Sequence, residues 1–396
     1  MTLALQGGKK IITTAEKKRD LRLYFSHEPA ILALLFFLAV GLFLGVTGLS
    51  HIYYAQRESL ANRWFTRGVT DLKAQRFQNA VADFRTALLY SRGDYTYQLN
   101  LAEALLGLKR TDEAYAYLLN LWEQEPENGL VNLELARIAA HKREIEQALR
   151  YYHNAIYAAW PGDQEVQRRE TRVELVDYLL GINAKAQAQS ELIALAANLT
   201  DDPVQQARVG DLFLRAQDYE HALNEYRLSM KSGRNDAAAL AGAGMAAFQL
   251  GRYDLADSYL QAAVAANPND AQSEARLKTT ELVLRMNPFQ RQLSVAERDR
   301  IVIEAFGSAG ERLKSCSSSG HSMGSVSAGS VPGGLAERWE KLQPQITEQG
   351  LRGNPDLVEA AMQLVFDIER QTSVECGPPE GTDMALLLIA KLHEGS

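Results

Sequence analysis

The chain has 396 residues, of which 46% are hydrophobic and 23% charged, with a formal charge of −7. That length and apolar content support a large folded part. The mildly acidic balance leaves no basic footprint for a phosphate backbone and excludes a nucleic-acid partner.

Residues 1–29 read as a polar tail with a basic cluster, Lys9, Lys10, Lys17, Lys18, Arg19 and Arg22. Ala30 to Leu49 follow as twenty residues without a charge, and Thr47 is their single polar side chain. At about 1.5 Å per residue this run covers about 30 Å, the thickness of a bilayer's hydrocarbon core. A cleaved signal peptide competes with this reading. However, the run exceeds an apolar region of about 7–15 residues and no Ala-x-Ala site follows it, which favours an uncleaved anchor over residues 30–50. Arg57, Arg63 and Arg67 lie beyond the span. The positive-inside rule then places residues 1–29 in the cytoplasm and the rest across the membrane, in the periplasm of a bacterium.

Six alanines, Ala80, Ala114, Ala148, Ala188, Ala222 and Ala256, recur at intervals of 34, 34, 40, 34 and 34 residues. A fixed period of this length marks helical hairpins that bury their apolar faces against neighbours. Twelve residues before each alanine stand Gly68, Ala102, Ala136, Val176, Gly210 and Gly244. Four residues after it come Phe84, Leu118, Tyr152, Leu192, Tyr226 and Leu260, the i, i+4 spacing of one helical face. A third, mostly small position falls at Ala87, Leu121, Ala155, Leu195, Ser229 and Ala263. Pro126 and Pro268 occupy the closing turn.

This pattern resembles the tetratricopeptide repeat (TPR) family, with small residues in helix A, an alanine and an aromatic in helix B, and a closing proline. The resemblance covers residues 61–270 and implies an all-α solenoid of about six repeats. They are set at 61–94, 95–128, 129–162, 169–202, 203–236 and 237–270, with residues 163–168 inserted. Trp64 fits the family's first aromatic position.

After Asp270 the period stops. Capping helices are expected over 271–316, with a break at Asn287-Pro288 and a capping box of Ser294 and Glu297. Residues 317–334 contain twelve Ser or Gly in eighteen and read as a flexible linker. In the C-terminal segment, 335–396, helices are expected at about 335–349, 355–371 and 383–393, starting well at Asn354-Pro355-Asp356. About sixty residues make a small core, so this tail should pack on the helix at 295–314 or on a partner.

Little in the chain carries chemistry. The seven histidines form no i, i+4 pair and no His-Glu-x-x-His, and neither a phosphate-binding glycine loop nor a Gly-x-Ser-x-Gly elbow occurs. No catalytic residue, metal site or cofactor is therefore expected. Cys316 and Cys376 are the sole cysteines. They are a candidate disulfide; two unpaired thiols, or a reactive cysteine with His321 or His393, are the alternatives.

In the resembled family, ligands lie along a concave face lined by helix A. Mapped here, that rule gives Phe65, Val69, Leu99, Glu103, Leu133, Arg137, Asp177, Asp211, Met245 and Phe248 as groove candidates, some of which should belong instead to the inter-repeat core. An apolar groove with scattered carboxylates suits a protein or peptide with apolar and basic anchors. The expected function is a membrane-anchored interaction scaffold or assembly factor. The alternatives are a permanent structural subunit of a membrane complex, or an enzyme with its site in residues 294–396.

Overall fold

The computed structural model describes residues 14–199, 201–231, 236–318 and 332–394. Among these there is no β-strand. The chain forms two compact units, Met1–Gln167 and Arg168–Ser396.

In the first unit α1 runs unbroken from Thr14 to Lys73, α2 covers Phe77–Tyr90, α3 Tyr95–Gly107, α4 Thr111–Gln124, α5 Gly129–His141 and α6 Ile145–Tyr157. The end of α1 pairs with α2, α3 with α4 and α5 with α6 as three hairpins. The apolar run is thus continuous with helix A of the first repeat. Its side chains from Ile31 to Leu49 are all exposed. Expectations about residues 1–13, including Lys9 and Lys10, lie outside the described residues.

A fourth hairpin consists of α7, Gln164–Gly181, and α8, Lys185–Ala196. α7 has 18 residues where its counterparts α3 and α5 have 13. The inserted segment supplies the difference. Asp163 Oδ1 accepts from the Glu165 and Val166 amides, so helix A starts about a turn early. In the second unit α9, Pro203–Arg215, pairs with α10, Tyr219–Lys231, and α11, Ala237–Gln249, with α12, Tyr253–Ala266.

The periodic residues form the core. All six alanines are fully buried, as are the large side chains four positions later. The small position in helix A faces that large residue. A Cβ built on Gly68 would lie 2.6 Å from the Phe84 ring, one on Gly210 3.0 Å from Tyr226, and one on Gly244 2.7 Å from Leu260. Glycine at these points permits close backbone approach. Ala222→Leu should therefore overpack the fifth hairpin and cost about 1–3 kcal/mol. Unchanged melting of both Ala222→Leu and Ala256→Leu would show that the register is misassigned.

Two further periodic devices set the turns. Between helix A and helix B stand Gln75, Lys109, Arg143, Asn183, Gln217 and Gly251, all with positive φ and each five residues before its alanine. At the first of them the Arg76 amide bonds the Asp71 carbonyl and the Gln75 amide the Leu72 carbonyl; the other five repeat the pattern. This is the Schellman termination of a helix, which satisfies carbonyls left without partners at its end. Helix A, in turn, starts on an Asx cap. The side chains of Asp94, Asn128, Asp202 and Asp236 accept amide hydrogens at the first turns of α3, α5, α9 and α11.

The C-terminal extension is helical: α13, Ala271–Met286; α14, Val295–Ser318; α15, Pro332–Leu342; a 3-10 turn, Gln343–Gln345; α16, Glu348–Leu351; α17, Pro355–Glu375; and α18, Gly381–Glu394. Asp270, 34 residues after Asp236, caps α13 at the register of a seventh helix A. The Glu297 amide bonds Ser294 Oγ at the start of α14. The single helix expected at 335–349 is divided. Pro344 has no amide hydrogen to continue α15, and Thr347 caps α16 by accepting from the Gly350 amide. The linker expected at 317–334 falls mostly outside the described residues, and α14 and α15 extend into its two ends.

The extension shares one core with the last hairpin, in which Tyr253 joins Val283, Met286, Val302, Phe306, Trp339, Val365 and Leu386. Trp339 stacks on Phe306 with centroids 5.6 Å apart and donates to the Phe306 carbonyl. At Gly251 a Cβ would meet Leu392 of α18. These contacts cover the apolar flank that a terminal repeat otherwise exposes.

Candidate peptide-binding surface

The six groove candidates of the first unit differ in depth. Phe65 is half-buried, its ring stacked on Tyr97 at 4.6 Å and tilted against Phe84 at 5.8 Å. Leu133 is buried, and Val69 is half-buried against the cluster of Leu101 and Leu105. Leu99 and Glu103 lie one turn apart on α3, Leu99 half-buried and Glu103 exposed. Arg137 is exposed on α5 and is held by Glu134 of the preceding turn at 2.6 Å.

Glu103 differs from the other acids of this face. Its side chain reaches solvent, but surrounding protein strips water from one side of it and raises its pKa above the ordinary carboxylate value. It has no ion-pair partner among the described residues. A partly desolvated carboxylate beside a half-buried leucine is matched by a ligand that brings a cation and an apolar group one helical turn apart.

In the second unit the acids are engaged. Asp177 pairs with Arg215 of the next hairpin at 2.6 Å, and Asp211 accepts from the Tyr226 hydroxyl at 2.5 Å. Arg276 of α13 lies against Met245 Sδ and 5.3 Å from the Phe248 ring centre. The capping helix therefore covers the helix A face of the last hairpin. Both acids remain exposed and stay within reach of a ligand.

Cys316, near the end of α14, and Cys376, the C-cap of α17, are joined as a disulfide with Cα atoms 5.7 Å apart. A buried polar network adjoins it. Arg312 donates from Nε to Thr372 Oγ1 at 2.8 Å and from Nη2 to the Gly377 carbonyl at 2.9 Å, with Glu369 at 3.4 Å and Asp383 at 3.7 Å. Ser308 donates to Asp383 at 2.8 Å. Burial, reinforced by Asp383 and opposed by Arg312, pushes the Glu369 carboxyl up to about 8 from an ordinary 4.5. The folded chain then keeps a proton that the unfolded chain releases near 4.5. Stability should fall as pH rises between these values, by about 3 kcal/mol at pH 7. Glu369→Gln should flatten that dependence, read as the urea midpoint at pH 5 and pH 7.5. An unchanged slope in the variant would mean that Arg312 keeps Glu369 ionised throughout.

A cavity of about 540 Å³ opens elsewhere in the extension, with Val358, Met362, Phe366 and Phe289 among its walls and Arg298, Arg370 and His393 at its polar side. The arginines already face carboxylates, Asp299 at 2.9 Å and Asp367 at 2.8 Å. No group of three or more His, Cys, Asp or Glu placed to hold a metal occurs among the described residues.

Comparison with known proteins gives the same repeat in both units. Tetratricopeptide repeat models match residues 71–128 and 209–271. No curated protein matches the chain. Among solved structures, PilF of Pseudomonas aeruginosa is 17% identical with a TM-score of 0.39, over 55% of this chain and 97% of that one. PilW, described as a widely conserved type IV pilus biogenesis factor, is 15% identical with a TM-score of 0.38, over 56% and 98%. YrrB, described as a TPR protein with an unusual peptide-binding site, is 15% identical with a TM-score of 0.38, over 48% and 95%.

Proposed function

With residues 71–128 and 209–271 belonging to the tetratricopeptide repeat family, we propose that this chain is a membrane-anchored scaffold or assembly factor that binds protein partners through its helix A surface. Residues 30–50 are the anchor, residues 1–29 face the cytoplasm, and the repeat array of 61–270 works on the far side. The observation that carries the binding half of this reading is Glu103, an exposed, partly desolvated carboxylate without an ion-pair partner among the described residues, one turn from the half-buried Leu99. The ligand it fits is a peptide or helix with alternating apolar and basic anchors. An exposed apolar run, continuous with the first hairpin, supports the anchor. Confinement to a membrane raises the effective concentration of the surface for membrane-bound or translocating partners without a new contact.

A photo-crosslinking amino acid at Leu99 should capture a protein in native membranes, and Glu103→Arg should abolish the capture by reversing the charge. The same probe at Gln78, on the exposed side of α2, should capture nothing. Equal capture from both positions, insensitive to Glu103→Arg, would remove the groove. Topology is read separately. A reporter active only outside the cytoplasm, fused after Ser396, should be active; protection of the repeats from protease in spheroplasts would reverse the orientation.

A further inference from the structure

We propose that the membrane-facing end of the first hairpin is a docking face for the headgroups of an anionic bilayer, so that the repeat array is seated on the membrane and not suspended from it. The inference rests on the anchor reading above and adds a surface that the repeat family does not require.

The argument begins with α1. No proline and no break separates Leu49 from Lys73, and Gly68 is the single glycine between them, held against Phe84. A continuous helix transmits position. Tyr53 lies about 6 Å and Arg57 about 12 Å beyond Leu49 along its axis. The headgroup layer is about 5–7 Å deep on each side of the hydrocarbon core. Tyr53 and Tyr54, both exposed, with rings 5.9 Å apart, therefore stand at headgroup depth, where amphipathic aromatic rings are favoured.

The second strand of the argument is α2, which runs back along α1 toward the membrane. Arg57 Nη2 donates to the Tyr90 carbonyl at 2.6 Å, pinning the end of α2 near the level of Arg57, just outside the headgroup layer. Leu89, 68% exposed, is left as an unpartnered apolar side chain there. Together Tyr53, Gln56, Arg57, Leu60, Leu89 and Arg92 line an open cavity of about 660 Å³. Its lining carries two arginines and no carboxylate. Glu58 and Asp94 are nearby in sequence but do not line it, and Asp94 is occupied in capping α3. An apolar tip flanked by two cations, at a height fixed by a rigid helix, matches anionic lipid: Leu89 faces the outer edge of the headgroup layer, and the long Arg92 side chain spans the remaining distance to phosphate.

The test uses the full chain in nanodiscs, with a fluorophore on a single introduced cysteine and nitroxide-labelled lipid headgroups as quencher. Leu38→Cys reports insertion, Leu89→Cys the docking face, and Gln78→Cys, at the start of α2, the distant control. In discs containing phosphatidylglycerol, the Leu89 probe should be quenched and the Gln78 probe should not. Quenching at Leu89 should fall in discs of phosphatidylcholine alone and in Arg92→Ala. Insertion at Leu38 with Leu89 no more quenched than Gln78 would overturn the docking face and leave the anchor standing. A Leu38 probe that reports no lipid contact would overturn both. Burial of the Leu89 probe in native membranes but not in discs would assign the face to a membrane protein and overturn the lipid reading.

Discussion

Tyr226→Ala should destabilise the hairpins of the second unit by about 3–5 kcal/mol, the range for deleting a buried aromatic ring. The ring is 1% exposed and sits between two glycines. Gly210 lies opposite it within the fifth hairpin, and a Cβ on Gly242, in the next helix A, would collide with it. One side chain thus joins two successive repeats. Tyr226→Phe should cost only about 1 kcal/mol, because it removes a single hydrogen bond to an Asp211 that solvent can reach. Gly242→Ala should itself cost about 1–3 kcal/mol by forcing a methyl group against the ring. The double variant, Gly242→Ala with Tyr226→Ala, should lose less than the sum of the two, since the methyl group then occupies space that the ring has vacated. Urea unfolding followed by hydrogen exchange over α9 to α11 measures all four. Additive losses would show that ring and glycine do not meet.

That packing was legible in the sequence because it depends on side-chain size at a fixed interval. Small residues at Gly68, Gly210 and Gly244 and large ones at Phe84, Tyr226 and Leu260 are visible as a period before any helix is drawn. The turns were not legible in the same way. Four of the six left-handed positions are Gln75, Lys109, Arg143 and Gln217, and only Asn183 and Gly251 are residue types that favour this conformation. The Schellman hydrogen bonds, local to the end of each helix A, hold Gln75, Lys109, Arg143 and Gln217 in a conformation that their side chains disfavour, so backbone bonding overrides the residue's own preference. The Asx caps are a different case. Asp94, Asn128, Asp202 and Asp236 carry a readable helix-start signal, which recurs at the same interval as the apolar period.

Contacts within the candidate groove were also beyond the sequence. Phe65 and Leu99 hold the same register on successive A helices. Both are half-buried, but the first stacks its ring on Tyr97 of the next repeat, while the second lies one turn from the exposed Glu103. What each of two equivalent positions touches is decided by the side chains of the neighbouring repeat, which lie outside the repeat's own pattern. The same holds for Met245 and Phe248, covered by an arginine that lies beyond the end of the period.

Loss of the bridge between Cys316 and Cys376 should destabilise the C-terminal extension by about 4 kcal/mol, the chain-entropy value for closing a loop of this length, here with a sequence separation of 60. The bridge links the last turn of α14 to the end of α17. The adjoining contacts depend on the same geometry. Arg312, one turn before Cys316, reaches Thr372 and the Gly377 carbonyl on either side of Cys376. Without the bridge those hydrogen bonds must hold α14 and α17 in register against a larger unfolded ensemble. A protease site inserted between Ser322 and Gly329 makes the link visible. After cleavage, residues 335–396 should stay attached on a denaturing gel without reductant and separate when reductant is added. Cys316→Ser should abolish the retention and lower the urea midpoint of the extension. Separation without reductant, from protein whose free thiols were blocked before lysis, would mean that the two cysteines are thiols in the cell. The chain would then carry a reactive pair beside Arg312 where the structure has a clasp.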